Sequence, residues 1–300
     1  LEKKYKVIGI DNLNDYYDVN LKKERLRLLK KNKYFTFKKI DICNLKNLKL
    51  LFKQNKIKIV INLAAQAGVR YSIVNPKTYL ENNVLGYFNL LEVCRNHKIN
   101  HLVQASTSSV YGNHKKFPLN EKLDTSFPLS FYAASKKSTE VLSHSYSYIY
   151  NLPITCLRFF TVYGPYGRPD MALFKFVKGI LDQTPIDIFN NGEMKRDFTY
   201  VSDLVYAVFL LINCIPEKNT KISKNDSISS VAPWRVINIG NSNPVKLSDF
   251  IKEIEHCLNR KAIKNYMPMQ QGDVKETYAN TDLLYEITGF KPKVNIKEGI

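Results

Sequence analysis

The sequence predicts an α/β fold: a doubly wound parallel sheet with a smaller C-terminal lobe. Three observations carry this. Short apolar runs alternate with segments of helical spacing from Lys6 to Phe159. Several of those runs stop at an acid or at hydroxyl residues, as strands do when their carboxyl ends line a ligand crevice. After Gly164 the alternation loosens, as expected where a second lobe begins.

In chain order, Lys6–Asp11 is an apolar run ending in an acid. Val19–Lys31 has helical spacing through Leu21, Leu26, Leu28 and Leu29. Phe35–Asp41 reads as a strand, Leu45–Asn55 as a helix, and Ile57–Ala64 as a buried strand. Asn83–Asn96 is a further helix, His101–Ser106 a strand, Tyr132–Tyr150 a long helix and Ile154–Phe159 a strand. Beyond Gly164, Ala172–Asp182, Val201–Cys214, Leu247–Leu258 and Thr281–Thr288 have helical spacing, with short strands between. Pro216–Ser230 is polar and poor in apolar residues, which predicts a mobile surface loop. The division expected is 1–163 and 164–300, with some segments of the second part returning to the first.

Composition narrows the function. The chain has 300 residues, 44% of them hydrophobic, enough for a large core. No apolar run is long enough to span a bilayer, and no charged-then-apolar leader opens the sequence. Five cysteines, none in a CxxC pair, fit a reducing cytoplasm better than a disulfide framework or a zinc site. Cys94 and Cys156 lie in apolar runs and read as core residues. The net charge of +18 is spread along the chain and accompanies no nucleic-acid-binding module, so no nucleic-acid partner is expected.

The chemistry centres on Tyr132-Ala133-Ala134-Ser135-Lys136. Spacing of four on a helix sets phenol and ammonium on one face, with Ser130 placed to cap the helix. A free phenol has a pKa of about 10. A neighbouring lysine and a helix N-terminus both favour the phenolate, as an acid/base group needs. Taken alone, the spacing is weak and fits a surface aromatic beside a lysine better. Its context is the hydroxyl cluster Thr107, Ser108 and Ser109, directly after the apolar run His101–Gln104, at what should be a strand's carboxyl end.

Together these segments resemble the extended short-chain dehydrogenase/reductase family, whose fold is Rossmann-like. The second half carries the resemblance further. It contains Arg158-Phe159-Phe160-Thr161-Val162-Tyr163-Gly164-Pro165, Gly167-Arg168-Pro169-Asp170-Met171-Ala172, Lys195-Arg196-Asp197-Phe198-Thr199-Tyr200-Val201 and Gln271-Gly272-Asp273-Val274. With the early Asn14-Asp15-Tyr16-Tyr17-Asp18-Val19, this series is similar to that of the bacterial UDP-glucuronate 4-epimerases, over nearly the whole chain.

The resemblance implies a catalytic set of Thr107, Tyr132 and Lys136. It implies an NAD site formed by Asp11, Asn12, Asp41, Ile42, Leu63, Ala64, Ala65, Gln66, Asn82 and Phe160, together with Tyr132 and Lys136. It implies UDP-sugar contacts from Ser108, Ser109, Thr161, Arg168, Arg196 and Asp273, with no metal. The arginines are fork-shaped donors suited to a diphosphate. The implied reaction is 4-epimerisation of UDP-glucuronate to UDP-galacturonate through a 4-keto sugar, by a homodimer. Other readings are an epimerase of UDP-glucose or UDP-N-acetylhexosamine, and a non-catalytic relative. Sugar dehydratases of the family carry an Asp-Glu pair where Ser108 and Ser109 stand, and decarboxylases carry glutamate at the second position. The family also opens on a strand and a glycine-rich GxxGxxG turn, but Gly9 is the only glycine before Asp11. The expectation is therefore a Rossmann-like sheet lacking its first strand in this chain, with NAD binding weakened.

Overall fold

The computed structural model describes residues 5–300. Eleven strands are described: β1 (Val7–Asp11), β2 (Phe35–Lys39), β3 (Ile59–Asn62), β4 (His101–Thr107), β5 (Ile154–Phe159), β6 (Thr161–Tyr163), β7 (Ile186–Phe189), β8 (Lys195–Tyr200), β9 (Trp234–Ile239), β10 (Pro244–Lys246) and β11 (Lys264–Met267). The helices are α1 (Val19–Lys30), α2 (Leu45–Gln54), α3 (Tyr71–Val74), α4 (Pro76–Tyr79), α5 (Gly86–Arg95), α6 (Phe131–Tyr150), α7 (Ala172–Leu181), α8 (Val201–Leu211), α9 (Leu247–Leu258), α10 (Asp282–Thr288) and α11 (Ile296–Gly299).

The central sheet is parallel, in the order β3-β4-β5-β9. β4 is buried along its whole length, as a strand covered on both faces must be. One apolar cluster joins α2 and α5 to β4 and β5 around Leu48, Leu91, Leu102 and Ile154. A second joins α8 and α10 to β4, β5 and β9 around Leu157, Leu211, Ile237 and Leu283. Apolar layers on both faces make the sheet doubly wound. β9 comes from the second half of the sequence, so that half does return to the first, as expected.

β1 and β2 form a separate parallel pair. Among the described residues no ladder joins β1 to β3, and each keeps an edge without a partner. This corrects the buried strand read at Ile57–Ala64. Ile61 is 44% exposed and Leu63 60%, because β3 has a neighbour on one side only.

The smaller lobe holds β6-β8-β10 and the β7-β11 pair, packed with α7 and α9 around Phe176, Phe198 and Phe250. Phe198 and Phe250 stack with centroids 4.3 Å apart. Two segments depart from expectation. The helix read at Asn83–Asn96 opens as a π-helical turn over Leu80–Leu85 and becomes α-helical from Gly86. The polar stretch Pro216–Ser230 is anchored. Asp226 in it is buried and receives Arg235 of β9 at 2.9 and 3.0 Å. Composition showed its polarity but not this buried ion pair. Cys94 and Cys156 are fully buried, as read.

Candidate active site

The expected residues gather where the parallel strands end. Thr107 is the last residue of β4. Its hydroxyl caps the short 3-10 turn Ser108–Tyr111 by accepting from the Ser109 N–H at 3.2 Å, and it donates to the Ser109 hydroxyl at 3.2 Å. α6 starts beside it. Ser130 is the helix cap, its hydroxyl accepting from the Ala133 N–H at 3.1 Å. Tyr132 thus lies in the first turn of α6 and Lys136 one turn on.

Electrostatics at this point differ from the sequence expectation. Burial raises the Tyr132 phenol above its usual range, while a hydrogen bond with Thr107 and then the charge of Arg168 draw it back down. Lys136 is not among the groups that lower it. Lys136 is itself buried, and burial pushes its ammonium down to about 8 against the opposing charge of Glu140. The cation whose charge opposes burial at the phenol is Arg168, brought in from the second half of the chain.

Arg168 is held by Asp170, whose carboxylate accepts two of its N–H groups and also the Tyr16 hydroxyl at 3.3 Å. It reaches the Ala67 carbonyl at 3.5 Å. Gly68, at φ +111, turns the chain among the Tyr16 hydroxyl, Arg168 and Tyr79, in a conformation that disfavours a side chain. Fully buried Tyr79 donates to the Gly68 carbonyl at 2.6 Å and lies edge-on to Tyr132 at 6.1 Å.

The turn after β3 leaves Leu63, Ala64 and Ala65 exposed and Gln66 buried. Asn83 clamps this turn. Its Oδ1 accepts from the Gln66 N–H at 2.7 Å, and its amide donates to the Gln66 carbonyl and the Ser135 hydroxyl, both at 2.9 Å. Asn82 turns the other way, its amide donating to the Thr78 carbonyl at 2.8 Å. At the end of β1, Asp11 accepts from the Leu13 N–H at 2.6 Å. Asn12 donates to Asp41 at 2.9 Å, which joins the two residues expected at the adenosine end. The Asn12 bond and the Cys43 N–H hold the Asp41 carboxyl below its usual range despite burial.

Two expected cofactor residues commit their side chains to the core. Ile42 packs in the cluster around Leu90 and Leu91. Phe160 packs with Tyr111, Leu119 and Ala279. Any contact they make with a ligand falls to their backbones. The small-residue turn follows β3, Asp11 and Asp41 lie at the ends of β1 and β2, and Tyr132 and Lys136 share a face of α6 beside the end of β4, so each falls where a parallel sheet leaves room for a ligand.

The sugar-nucleotide residues fall into two groups. Ser108, Ser109 and Thr161 lie partly exposed at or just beyond the ends of β4 and β5. Arg196 and Asp273 meet farther out. Burial lowers the Arg196 guanidinium, Asp273 raises it, and Arg70 lowers it again. Arg70 lies 3.7 Å from Asp273 and 4.4 Å from the Phe189 ring centroid. Sequence reading missed Arg70 and Phe189. An arginine three residues past the small-residue turn was the available signal for the first; the second carried none.

Comparison with known proteins is consistent across the chain. The family description GDP-mannose 4,6 dehydratase matches residues 1–300. Protein CapI of Staphylococcus aureus is 50% identical over 98% of this chain and 88% of its own length. A probable UDP-glucuronate 4-epimerase of Rhizobium meliloti is 44% identical over 98% of this chain and 87% of its own. The crystal structure of UDP-glucuronic acid 4-epimerase from Bacillus cereus in complex with UDP-glucuronic acid and NAD matches with a TM-score of 0.88. It is 34% identical and covers 99% of this chain and 89% of that one.

Proposed function

The chain belongs to the family described as GDP-mannose 4,6 dehydratase, whose members here include UDP-glucuronate 4-epimerases, and on that premise we propose that it interconverts UDP-glucuronate and UDP-galacturonate. It is an NAD-dependent nucleotide-sugar epimerase. The observation that carries the choice within the family lies beside Thr107. Ser108 and Ser109 stand there, so no acid and base are present to eliminate water.

The roles follow from the geometry. The Tyr132 phenol exchanges the proton of the sugar 4-hydroxyl, with Thr107 sharing that hydrogen bond. Arg168 lowers the cost of the phenolate. When bound, NAD supplies hydride acceptance and return at the sugar carbon. Lys136, Asp11, Asn12, Asp41, Asn82 and the Leu63–Gln66 turn hold that cofactor, with Ile42 and Phe160 contributing backbone. Ser108, Ser109 and Thr161 donate to the sugar carboxylate, which needs donors once water is excluded. Arg168 and Arg196 donate to the diphosphate, joined by Arg70, and Asp273 accepts from the uridine ribose, with the Phe189 ring available to stack on a base. Residues 1–163 form the NAD-binding part and 164–300 mainly the sugar-nucleotide lobe.

The assembly proposed is a homodimer in a reducing cytoplasm. Exposed apolar residues on the adjoining helices α5 and α6, Phe88, Val141 and Tyr148, together with Leu85 just before α5, support the first. Five free cysteines support the second. No helix among the described residues is long and apolar enough to cross a membrane. The test is incubation of the protein with UDP-glucuronate and NAD, followed by chromatographic separation of the product. UDP-galacturonate is the expected product; equal turnover of UDP-glucose would leave only the broader class of UDP-hexose 4-epimerase.

A further inference from the structure

Behind the catalytic residues lies a buried ion pair that the reaction as derived does not use. Glu140 sits on α6, one turn beyond Lys136 and two beyond Tyr132. Its side chain is 1% exposed, and that of its partner Arg158, on β5, is 3%. Arg158 donates through Nε at 2.9 Å and through a terminal nitrogen at 2.8 Å, one bond to each carboxylate oxygen. The Ser106 hydroxyl donates to the same carboxylate at 2.7 Å. Ser106 immediately precedes Thr107 on β4. One carboxylate therefore bridges three elements: the helix with Tyr132 and Lys136, the strand that ends in Thr107, and the strand between β4 and β9.

We propose that Glu140 is a positioning residue for the epimerisation: it locks α6 in register on the strand that carries Thr107 and sets a fixed negative charge one turn from the Lys136 ammonium. This rests on the epimerase reading above. A structural ion pair alone needs no third bond to the residue beside the catalytic threonine. Nor does it need to sit at the spacing that puts it on the face of Lys136. Every group facing it is accounted for. From β5 come Arg158 and Cys156, from β4 Ser106, and from α6 Lys136 and Lys137, the latter 3.3 Å away. Tyr111 lies under the Arg158 guanidinium at 4.7 Å, and Glu121 faces the same guanidinium, its carbonyl accepting at 3.2 Å and its carboxyl, raised by burial to about 7, interacting with it through charge. The one charged residue of β9, Arg235, is occupied by Asp226.

Charge has a consequence at Lys136. Burial pushes its ammonium down, and the Glu140 carboxylate opposes this. With Glu140 neutralised, Lys136 should lose its proton at lower pH. The experiment is the pH dependence of kcat on UDP-glucuronate with NAD bound, for the wild type, Glu140→Gln, Glu140→Asp and Ser106→Ala. Glu140→Gln should move the alkaline limb to lower pH by roughly one unit. Glu140→Asp keeps the charge and should leave the limb in place while lowering kcat. Ser106→Ala leaves the ion pair whole and should lower kcat about tenfold with KM unchanged. Removing one member of a buried pair strands the other. If Glu140→Gln yields no folded protein, the limb is read on Glu140→Gln combined with Arg158→Met, where a smaller downward shift is expected because the Arg158 charge is removed as well. An unmoved limb in the folded charge-neutral variant, or wild-type kcat in Ser106→Ala, overturns the proposal. A wild type without epimerase activity would instead overturn the function it rests on.

Discussion

Tyr132 shows how much one residue's chemistry depends on surroundings that its own motif does not contain. Its spacing to Lys136 is legible in the sequence, and so is its partner Thr107. The cation that assists it, Arg168, lies 36 positions downstream and arrives through the turn Gly164–Asp170. Replacing Tyr132 by Phe should lower turnover at least about 100-fold while UDP-sugar binding, measured by calorimetry, survives. Near-normal turnover would mean that another group carries the proton. Thr161→Val removes one of the donors proposed for the substrate carboxylate. It should weaken kcat/KM for UDP-glucuronate by about 10- to 150-fold, equivalent to roughly 1.5–3 kcal/mol, and spare UDP-glucose. Glu121 provides a pH test. Burial raises its carboxyl to about 7, opposed by the Asn238 N–H that it accepts at 2.9 Å. The folded pKa thus lies above the unfolded one. Its favourable contribution is complete below about pH 4.5 and is lost as pH rises through 7. Glu121→Gln should therefore stabilise the protein at pH 8 by on the order of 2 kcal/mol, with the gain shrinking towards pH 5. Urea denaturation at both pH values measures this, and an equal gain at both would contradict it.

At the scale of elements, periodicity located the long helices because their apolar faces must meet a sheet. α6 begins at Phe131, one residue from the expected start, and Ser130 caps it as read. The π-helical turn at Leu80–Leu85 was invisible, since one extra residue per turn leaves the apolar spacing nearly intact. The stretch Pro216–Ser230 misled for another reason. A single buried pair, Asp226 with Arg235, fixes a segment whose composition is that of a loose loop. Asp226→Ala should cost about 3–5 kcal/mol, because it leaves the Arg235 guanidinium buried without a partner. Denaturant midpoints would show this. A loss under about 1 kcal/mol would mean that water reaches Arg235 in the variant.

For the whole molecule, two apolar layers cover the faces of one parallel sheet and leave the carboxyl ends of its strands to loops. Loops leave those ends without the helices that cover the faces, so the residues there remain available to a ligand. The same packing leaves Phe88 and Val141 outward on α5 and α6. A specific protein–protein interface of standard size buries on the order of 1,600 Å² in total. Phe88→Glu combined with Val141→Glu should convert a dimer to a monomer, read by light scattering after gel filtration. A wild type that is already monomeric would remove the dimer from the proposal.

The sequence by itself determined the α/β class, the order of strands and helices and the placing of Thr107 at a strand end and of Tyr132 and Lys136 on one helix. These depend on local periodicity, capping and the chemistry of short motifs, all of which act within a few residues. Only the tertiary structure decided that Arg168 assists Tyr132, that Asn83 clamps Gln66, that Arg70 meets Asp273 beside Phe189, and that Glu140 ties α6 to Ser106. Each of these joins segments far apart in the chain, and which distant side chains meet is set by how helices pack on the sheet. Burial then fixes their charge states, and burial is a property of the packed molecule, not of any stretch of sequence.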